Sequence, residues 1–210
     1  MDLQTLNRIK KTILEIKLTL IGEEGLDNIE NLLTLAMVNG VKGAFVEAGV
    51  WRGGACIWAR ALMDFLSIDE DVYVCDSFEG LPRPSMVQDT GDQHYLIKEL
   101  SVSENTVKEN FSYFPLMGPV KFIKGFFKDT MPKLKDEIDV ISILRIDGDM
   151  YESTMQVLEN LYDKVSVGGY IIADDYGLPG AKIAIDEFRE NYNIKNPIIR
   201  INNCIHYWQK

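Results

Sequence analysis

The sequence predicts an α/β fold: a doubly wound, mostly parallel sheet with an antiparallel C-terminal hairpin strand, preceded by N-terminal helices. Three observations predict it. Short apolar runs alternate with stretches of helical periodicity between residues 44 and 191. Two of those runs, Asp139–Ile146 and Tyr170–Ala173, are nearly continuous, as strands buried on both faces are. The chain then ends in two short strand patterns, Ile198–Ile201 and Ile205–Gln209, which flank Asn202-Asn203-Cys204 and read as a hairpin.

The elements follow in order. Leu3, Leu6, Ile9, Ile13, Ile16 and Leu20 recur at helical spacing, which predicts an amphipathic helix over 2–20. Gly22 and Gly25 interrupt it, and a second helix runs from Asp27 to Val38, ended by Asn39-Gly40. These helices, within residues 1–40, either cover one sheet face or form a lid over a site. Residues 44–48 read as the first strand, 54–65 as a helix, and 71–75 as the second strand, closed by Asp76. The connection 77–101 carries Pro82, Pro84, Gly91 and His94, and its length suits a lid or a substrate loop. Ser103 opens a helix that reaches Phe114, and Pro119–Lys124 is a third strand closed by Gly125. Helices are expected at Ser153–Tyr162 and Ala181–Asn191. No repeat or linker divides the 210 residues, so the chain reads as one domain, 1–210, with residues 41–210 as its α/β core.

Composition narrows the function. A formal charge of −10 argues against nucleic acid as the main partner, since phosphate binding needs a basic footprint. No run of about 18 apolar residues suggests a membrane span, and the N-terminus lacks the pattern of a signal peptide. Cys56, Cys75 and Cys204 show no metal-ligand spacing, and the cytoplasm is the expected compartment. A homo-oligomer is compatible with this reading.

The chemistry starts at Phe45-Val46-Glu47-Ala48-Gly49-Val50-Trp51-Arg52-Gly53-Gly54-Ala55. A strand, a glycine turn and a helix start are how an open α/β sheet receives a nucleotide-like ligand. The glycines let a backbone approach a ligand closely. Glu47 would repel a pyrophosphate and favours a ligand with a positive group. An ammonium, a sulfonium and an adenosine together describe S-adenosylmethionine. Asp76 is placed to accept hydrogen bonds from ribose hydroxyls, or else to cap the turn at Ser77 and Gly80. Glu47, Asp76, Asp147 and Asp174 all end strands, with Asp149 and Asp175 beside them, so the carboxylates converge on one rim. A divalent cation among Asp147, Asp174 and Asp175 would relieve their repulsion; Mg²⁺ suits hard oxygen ligands, and Mn²⁺ or Ca²⁺ would also fit. Arg145, inside its strand, reads as an internal partner for a carboxylate.

Several strings carry a family resemblance: Glu47–Ala55, Asp76-Ser77-Phe78-Glu79-Gly80-Leu81-Pro82, Gly125-Phe126-Phe127-Lys128-Asp129-Thr130-Met131-Pro132, Leu144-Arg145-Ile146-Asp147-Gly148-Asp149-Met150-Tyr151-Glu152-Ser153-Thr154, and Lys164–Tyr170. Together they resemble the macrocin-type sugar O-methyltransferases over roughly residues 43–190. The resemblance implies a class I, Rossmann-like methyltransferase, S-adenosylmethionine, and Mg²⁺-dependent transfer to a sugar hydroxyl. It assigns the metal to Asp147, Asp174 and Asp175. It assigns the cofactor to Glu47, Gly49, Trp51, Gly53, Asp76 and Ser77, with Gly125, Phe126 and Phe127 near the adenine. Longer family members carry a histidine-rich segment after the second strand, where this chain has His94 alone.

A metal would acidify the acceptor hydroxyl, and two adjacent hydroxyls could chelate it, which points to a vicinal diol. Asp149, Asp147 and His94 are the candidates to accept the proton. Two other readings remain. Asp76 follows Gly54 by 22 residues, a spacing that also suits a nicotinamide-dependent oxidoreductase, although the glycines do not form G-x-G-x-x-G. A non-catalytic nucleotide-binding protein of the same fold is the other, and it leaves the acidic rim unexplained.

Overall fold

The computed structural model describes residues 1–210. Two helices, α1 (Leu3–Glu15) and α2 (Gly22–Val38), precede the first strand, β1 (Ala44–Ala48). There follow α3 (Gly54–Phe65), β2 (Val72–Asp76), α4 (Glu104–Ser112), β3 (Val120–Lys124) and α5 (Phe127–Glu137). The chain continues through β4 (Ile141–Ile146), α6 (Tyr151–Leu161), β5 (Val165–Ala173) and α7 (Pro179–Asn191), and closes with β6 (Ile199–Arg200) and β7 (His206–Gln209). The strand order is β3-β2-β1-β4-β5-β7-β6. The first five strands are mutually parallel, and β7 runs antiparallel to both β5 and β6. This is the doubly wound sheet with an antiparallel edge that the sequence predicts.

Every residue of β1 and β4 is buried, because helices cover both faces of the sheet. On one face α1, α2 and α3 contribute Ile13, Leu26 and Trp58, and the Trp58 indole N–H donates to the Leu26 carbonyl at 2.9 Å. On the other face α5, α6 and α7 contribute Leu134, Val157 and Phe188. Side-chain caps begin two of the helices: Asp2 accepts from the Thr5 N–H at 2.7 Å, and Ser103 from the Thr106 N–H at 3.2 Å. None of the helices is long and apolar enough to cross a membrane.

Four details differ from the sequence expectation. Helix α1 ends at Glu15, because Lys17 turns into the left-handed region (φ 55°) and Leu18 folds back inward. Helix α2 starts at Gly22, and Gly25 lies inside it, where a Cβ would sit 2.7 Å from Ile21. Strand β5 begins at Val165, so Gly168-Gly169 lies within it. Helix α5 was not expected, because Pro132 interrupts its pattern; the helix accommodates the proline and buries Met131 and Leu134.

The register fixes the site. Ala48 pairs with Ile146, and Ile146 with Ala173, so the carboxyl ends of β1, β4 and β5 lie side by side. All the strand-terminal acids therefore share one rim of the sheet.

Candidate active site

A cavity of about 820 Å³ opens at that rim. Its floor is the turn from β1 into α3. Gly49 has φ +92°, and a Cβ there would lie 1.7 Å from the Asp147 carbonyl oxygen; at Gly54 a Cβ would lie 2.5 Å from the Leu18 carbonyl oxygen. These glycines therefore let the turn press against β4 and the end of α1, a packing requirement inside the protein itself.

Buried Arg145 organises the acids. Its Nη1 bonds Glu47 Oε1 and Asp147 Oδ2, the latter at 2.9 Å, and its Nη2 lies 2.5 Å from Asp174 Oδ1. Glu47 also accepts from the Cys56 thiol at 2.7 Å. Glu47 thus already has a positive partner inside the fold. A second group stands beside this one. Asp147, Asp149 and Asp175 bring carboxylate oxygens within 4.8 Å of one another. Asp175 Oδ2 accepts the Asp149 N–H at 2.8 Å, and Asp149 adopts φ 58°. One guanidinium thus pairs with three of five clustered carboxylates. Burial, reinforced by neighbouring negative charge, pushes Glu47, Asp149 and Asp174 up to about 7, and Asp175 well above the usual carboxylate range.

The metal set expected from the sequence was Asp147, Asp174 and Asp175. The structure brings Asp147 and Asp175 together with Asp149, while Asp174 lies against Arg145.

Asp76 is held differently. Its Oδ1 accepts the Phe78 N–H at 2.7 Å and its Oδ2 the Val50 N–H at 2.8 Å. It therefore closes two turns, and each oxygen keeps capacity for a further donor. Ser77 donates to the Gly80 carbonyl at 2.7 Å. Both residues line the cavity, as do Trp51, Phe126 and Phe127. The Trp51 indole N–H donates to the Glu99 carbonyl at 2.8 Å and so ties down the far end of the 77–101 segment. Gly53, Gly125 and His94 are not among the lining residues. Gly53 begins α3 with φ +83°, and the Gly125 N–H donates to the Asp76 carbonyl at 2.9 Å. His94 pairs with Asp92 at 3.0 Å, a contact that raises its pKa.

One buried acid escaped the sequence reading. Asp89 is 3% exposed within a stretch otherwise exposed or half-buried, and its carboxylate accepts the Tyr151 and Glu152 N–H groups at 2.6 and 3.1 Å. An aspartate beside Thr90-Gly91 looks like a turn residue, and its partner is 62 positions away.

Residues 10–210 match the family described as macrocin-O-methyltransferase (TylF). The chain belongs to that family. Membership makes it an S-adenosylmethionine-dependent O-methyltransferase. Among related macrocin-type enzymes, demethyldecarbamoylnovobiocin O-methyltransferase of Streptomyces niveus is 43% identical over 199 residues, 91% of this chain and 75% of that protein. The 8-demethyl-8-(2,3-dimethoxy-alpha-L-rhamnosyl)-tetracenomycin-C 4'-O-methyltransferase of Streptomyces olivaceus is 36% identical over 197 residues, 91% of this chain and 75% of that protein. The solved structure of the O-methyltransferase NovP superposes with a TM-score of 0.87 at 43% identity, over 91% of this chain and 81% of that one.

Proposed function

We propose that this single-domain member of the macrocin O-methyltransferase family methylates a hydroxyl of a sugar carried by a small molecule, with a divalent cation at the acidic rim. The observation that carries the reading is the convergence of Asp147, Asp149 and Asp175 within 4.8 Å on the wall of the cavity. The guanidinium buried beside them, Arg145, is already engaged by Glu47, Asp147 and Asp174. Oxygen-only donors under mutual repulsion fit Mg²⁺ or a similar hard cation. The tetracenomycin relative, named for a rhamnosyl-bearing compound, supports a sugar acceptor.

When bound, S-adenosylmethionine supplies an electrophilic methyl group, and the cation acidifies and orients the acceptor hydroxyl. The chain's own residues do the rest. Asp147 and Asp175 are common to the expected and the observed triads and are the core ligands. Asp174, the third residue of the set that the resemblance implies, would join them if Arg145 released it. Asp149 is then free to accept the hydroxyl proton. Asp76 and Ser77 would receive the ribose, Phe126 and Phe127 would wall the adenine side, and Glu47 holds Arg145 in place. Thr19–Ile21, between α1 and α2, line the mouth of the cavity and supply the lid.

The test is mass spectrometry on a panel of glycosylated small molecules with S-adenosylmethionine and Mg²⁺, including vicinal diols. Gain of one methyl group by a sugar is the expected result. Binding of NADH with no binding of S-adenosylhomocysteine would overturn the reading. Manganese titration of the purified protein separates the roles: Asp174→Asn is expected to lose the metal and Asp149→Asn to keep it. The reverse pattern makes Asp149 the third ligand.

A further inference from the structure

Asp89 is the one buried carboxylate near the cavity that neither the cofactor nor the metal reading uses. It does for α6 what α6 cannot do for itself. The N-cap of that helix is Met150, whose side chain accepts no hydrogen bond, so the first N–H groups need an acceptor from elsewhere. Asp89 supplies both of its oxygens, one to Tyr151 and one to Glu152. A carboxylate at a helix N-terminus also meets the positive end of the helix dipole. The start of α7 closes over the same carboxylate: a Cβ at Gly180 would lie 2.6 Å from Asp89 Oδ1 and 3.0 Å from the Tyr151 N. The carboxylate is therefore enclosed by two helix starts.

What it holds is the connection from β2 to α4. Leu81, Pro82, Arg83 and Ser85 of that connection line the cavity, and Ser85 hydrogen-bonds Glu152. Its other end is tied by the Trp51 indole. Helix α6 begins immediately after Asp147-Gly148-Asp149, the stretch that carries two of the clustered acids. Asp89 thus joins the loop wall of the cavity directly to the element that places Asp149.

We propose that Asp89 is a positioning residue, a latch that sets the distance between the 81–85 wall and Asp149 and so shapes the half of the cavity that receives the acceptor. This rests on the reading above, in which a sugar lies between that wall and the acids. The cofactor half, built on the β1 turn and Asp76, does not depend on the latch.

Three proteins test it: wild type, Asp89→Asn, and Gly180→Ala, which crowds the carboxylate while leaving Asp89 itself unchanged. Three measurements are made on each: hydrogen exchange of residues 81–100, calorimetric affinity for S-adenosylhomocysteine, and steady-state kinetics with an acceptor from the glycoside panel. In both variants, exchange of 81–100 is expected to rise about fivefold, the change that losing a helix cap of ordinary strength converts to. Acceptor KM is expected to rise by a similar factor, with kcat and S-adenosylhomocysteine affinity within about twofold of wild type. Unchanged exchange in both folded variants overturns the latch. Faster exchange with unchanged acceptor KM overturns the positioning role, as does a fall in kcat at constant KM. If wild type methylates nothing in the panel, the functional reading fails, and the exchange measurement still decides the latch.

Discussion

Asp76, at the end of β2, and the Asp147/Asp149/Asp175 group, at the ends of β4 and β5, sit on the same rim with β1 between them, yet the protein supports them in opposite ways. Asp76 is satisfied by backbone: two N–H groups point at its two oxygens. In the triad, Asp175 receives one N–H from Asp149, Asp147 shares Arg145 with two other acids, and the three carboxylates lie within 4.8 Å of one another. The β2 end is thus complete without a ligand, and an incoming ribose would add to bonds already made. The β4 and β5 ends carry unrelieved negative charge, which a cation would stabilise. Charge that the fold does not neutralise marks the chemistry more clearly than burial does, since both groups are half-buried.

Removing the metal should expose this difference most. EDTA treatment, or Asp174→Asn with Asp175→Asn, is expected to abolish turnover while S-adenosylhomocysteine still binds through the β1 turn and Asp76. Mg²⁺ should restore the EDTA-treated wild type and leave the double variant inactive. Full turnover by metal-free protein would remove the cation from the mechanism and leave a proton acceptor alone.

The next effect lies on the complete side. Asp76→Ala is expected to weaken S-adenosylhomocysteine binding by about 1–3 kcal/mol, the usual scale for losing a hydrogen-bonding carboxylate. Because two turns also lose their acceptor, the melting temperature should fall as well. A fall in melting temperature with unchanged affinity would show that Asp76 serves only as a cap.

The contrast between the two ends also explains what was readable from the sequence. Strand-terminal acids can be counted once strands are recognised, and β1, β2, β4 and β5 announce themselves by apolar runs. Their convergence follows from parallel pairing, and the register of Ala48, Ile146 and Ala173 realises it. Which acids face one another does not follow. Asp174 and Asp175 are adjacent in sequence, yet one faces Arg145 and the other the triad, a choice set by side-chain direction at the end of β5. The left-handed conformation of Asp149, which carries it into the triad, leaves no mark in composition. Helix α5 was hidden by Pro132, and Asp89 by a partner far along the chain. The glycines of the β1 turn were correctly placed in a tight turn. The neighbours that require Gly49 and Gly54, Asp147 and Leu18, become visible only in three dimensions.

The uncompensated charge should appear in stability against pH. Burial holds Glu47, Asp149 and Asp174 near 7 in the folded chain, against ordinary values of 3.8 to 4.5 for exposed carboxyls. Between those limits the folded protein keeps protons that the unfolded chain has released. Stability is therefore lost as pH rises from about 4 through about 7, and the loss is complete above that. Metal-free protein is expected to show a lower urea midpoint at pH 8 than at pH 6. Mg²⁺ should raise the midpoint at pH 8, and Asp149→Asn should flatten the dependence. A midpoint that stays constant or rises from pH 6 to pH 8 in metal-free protein would contradict this account.

The smallest effect expected is at His94. It carried a catalytic assignment in the sequence because it is the sole histidine of the long connection. In the structure its partner is Asp92, its side chain is 38% exposed, and it is absent from the cavity lining. Its link to the acids is electrostatic: its charge lowers the pKa of Asp149, against the larger effect of burial. Removing it should therefore adjust the base without replacing it. His94→Gln is expected to change kcat by less than about threefold and to move the acidic limb of the pH–rate profile upward, as Asp149 loses a neighbouring positive charge. Asp149→Asn should instead lower kcat by a factor of about 10²–10⁴, the usual scale for a general base. If His94→Gln has the large effect and Asp149→Asn the small one, the imidazole is the proton acceptor, and the 77–101 connection must close farther over the cavity when the acceptor binds.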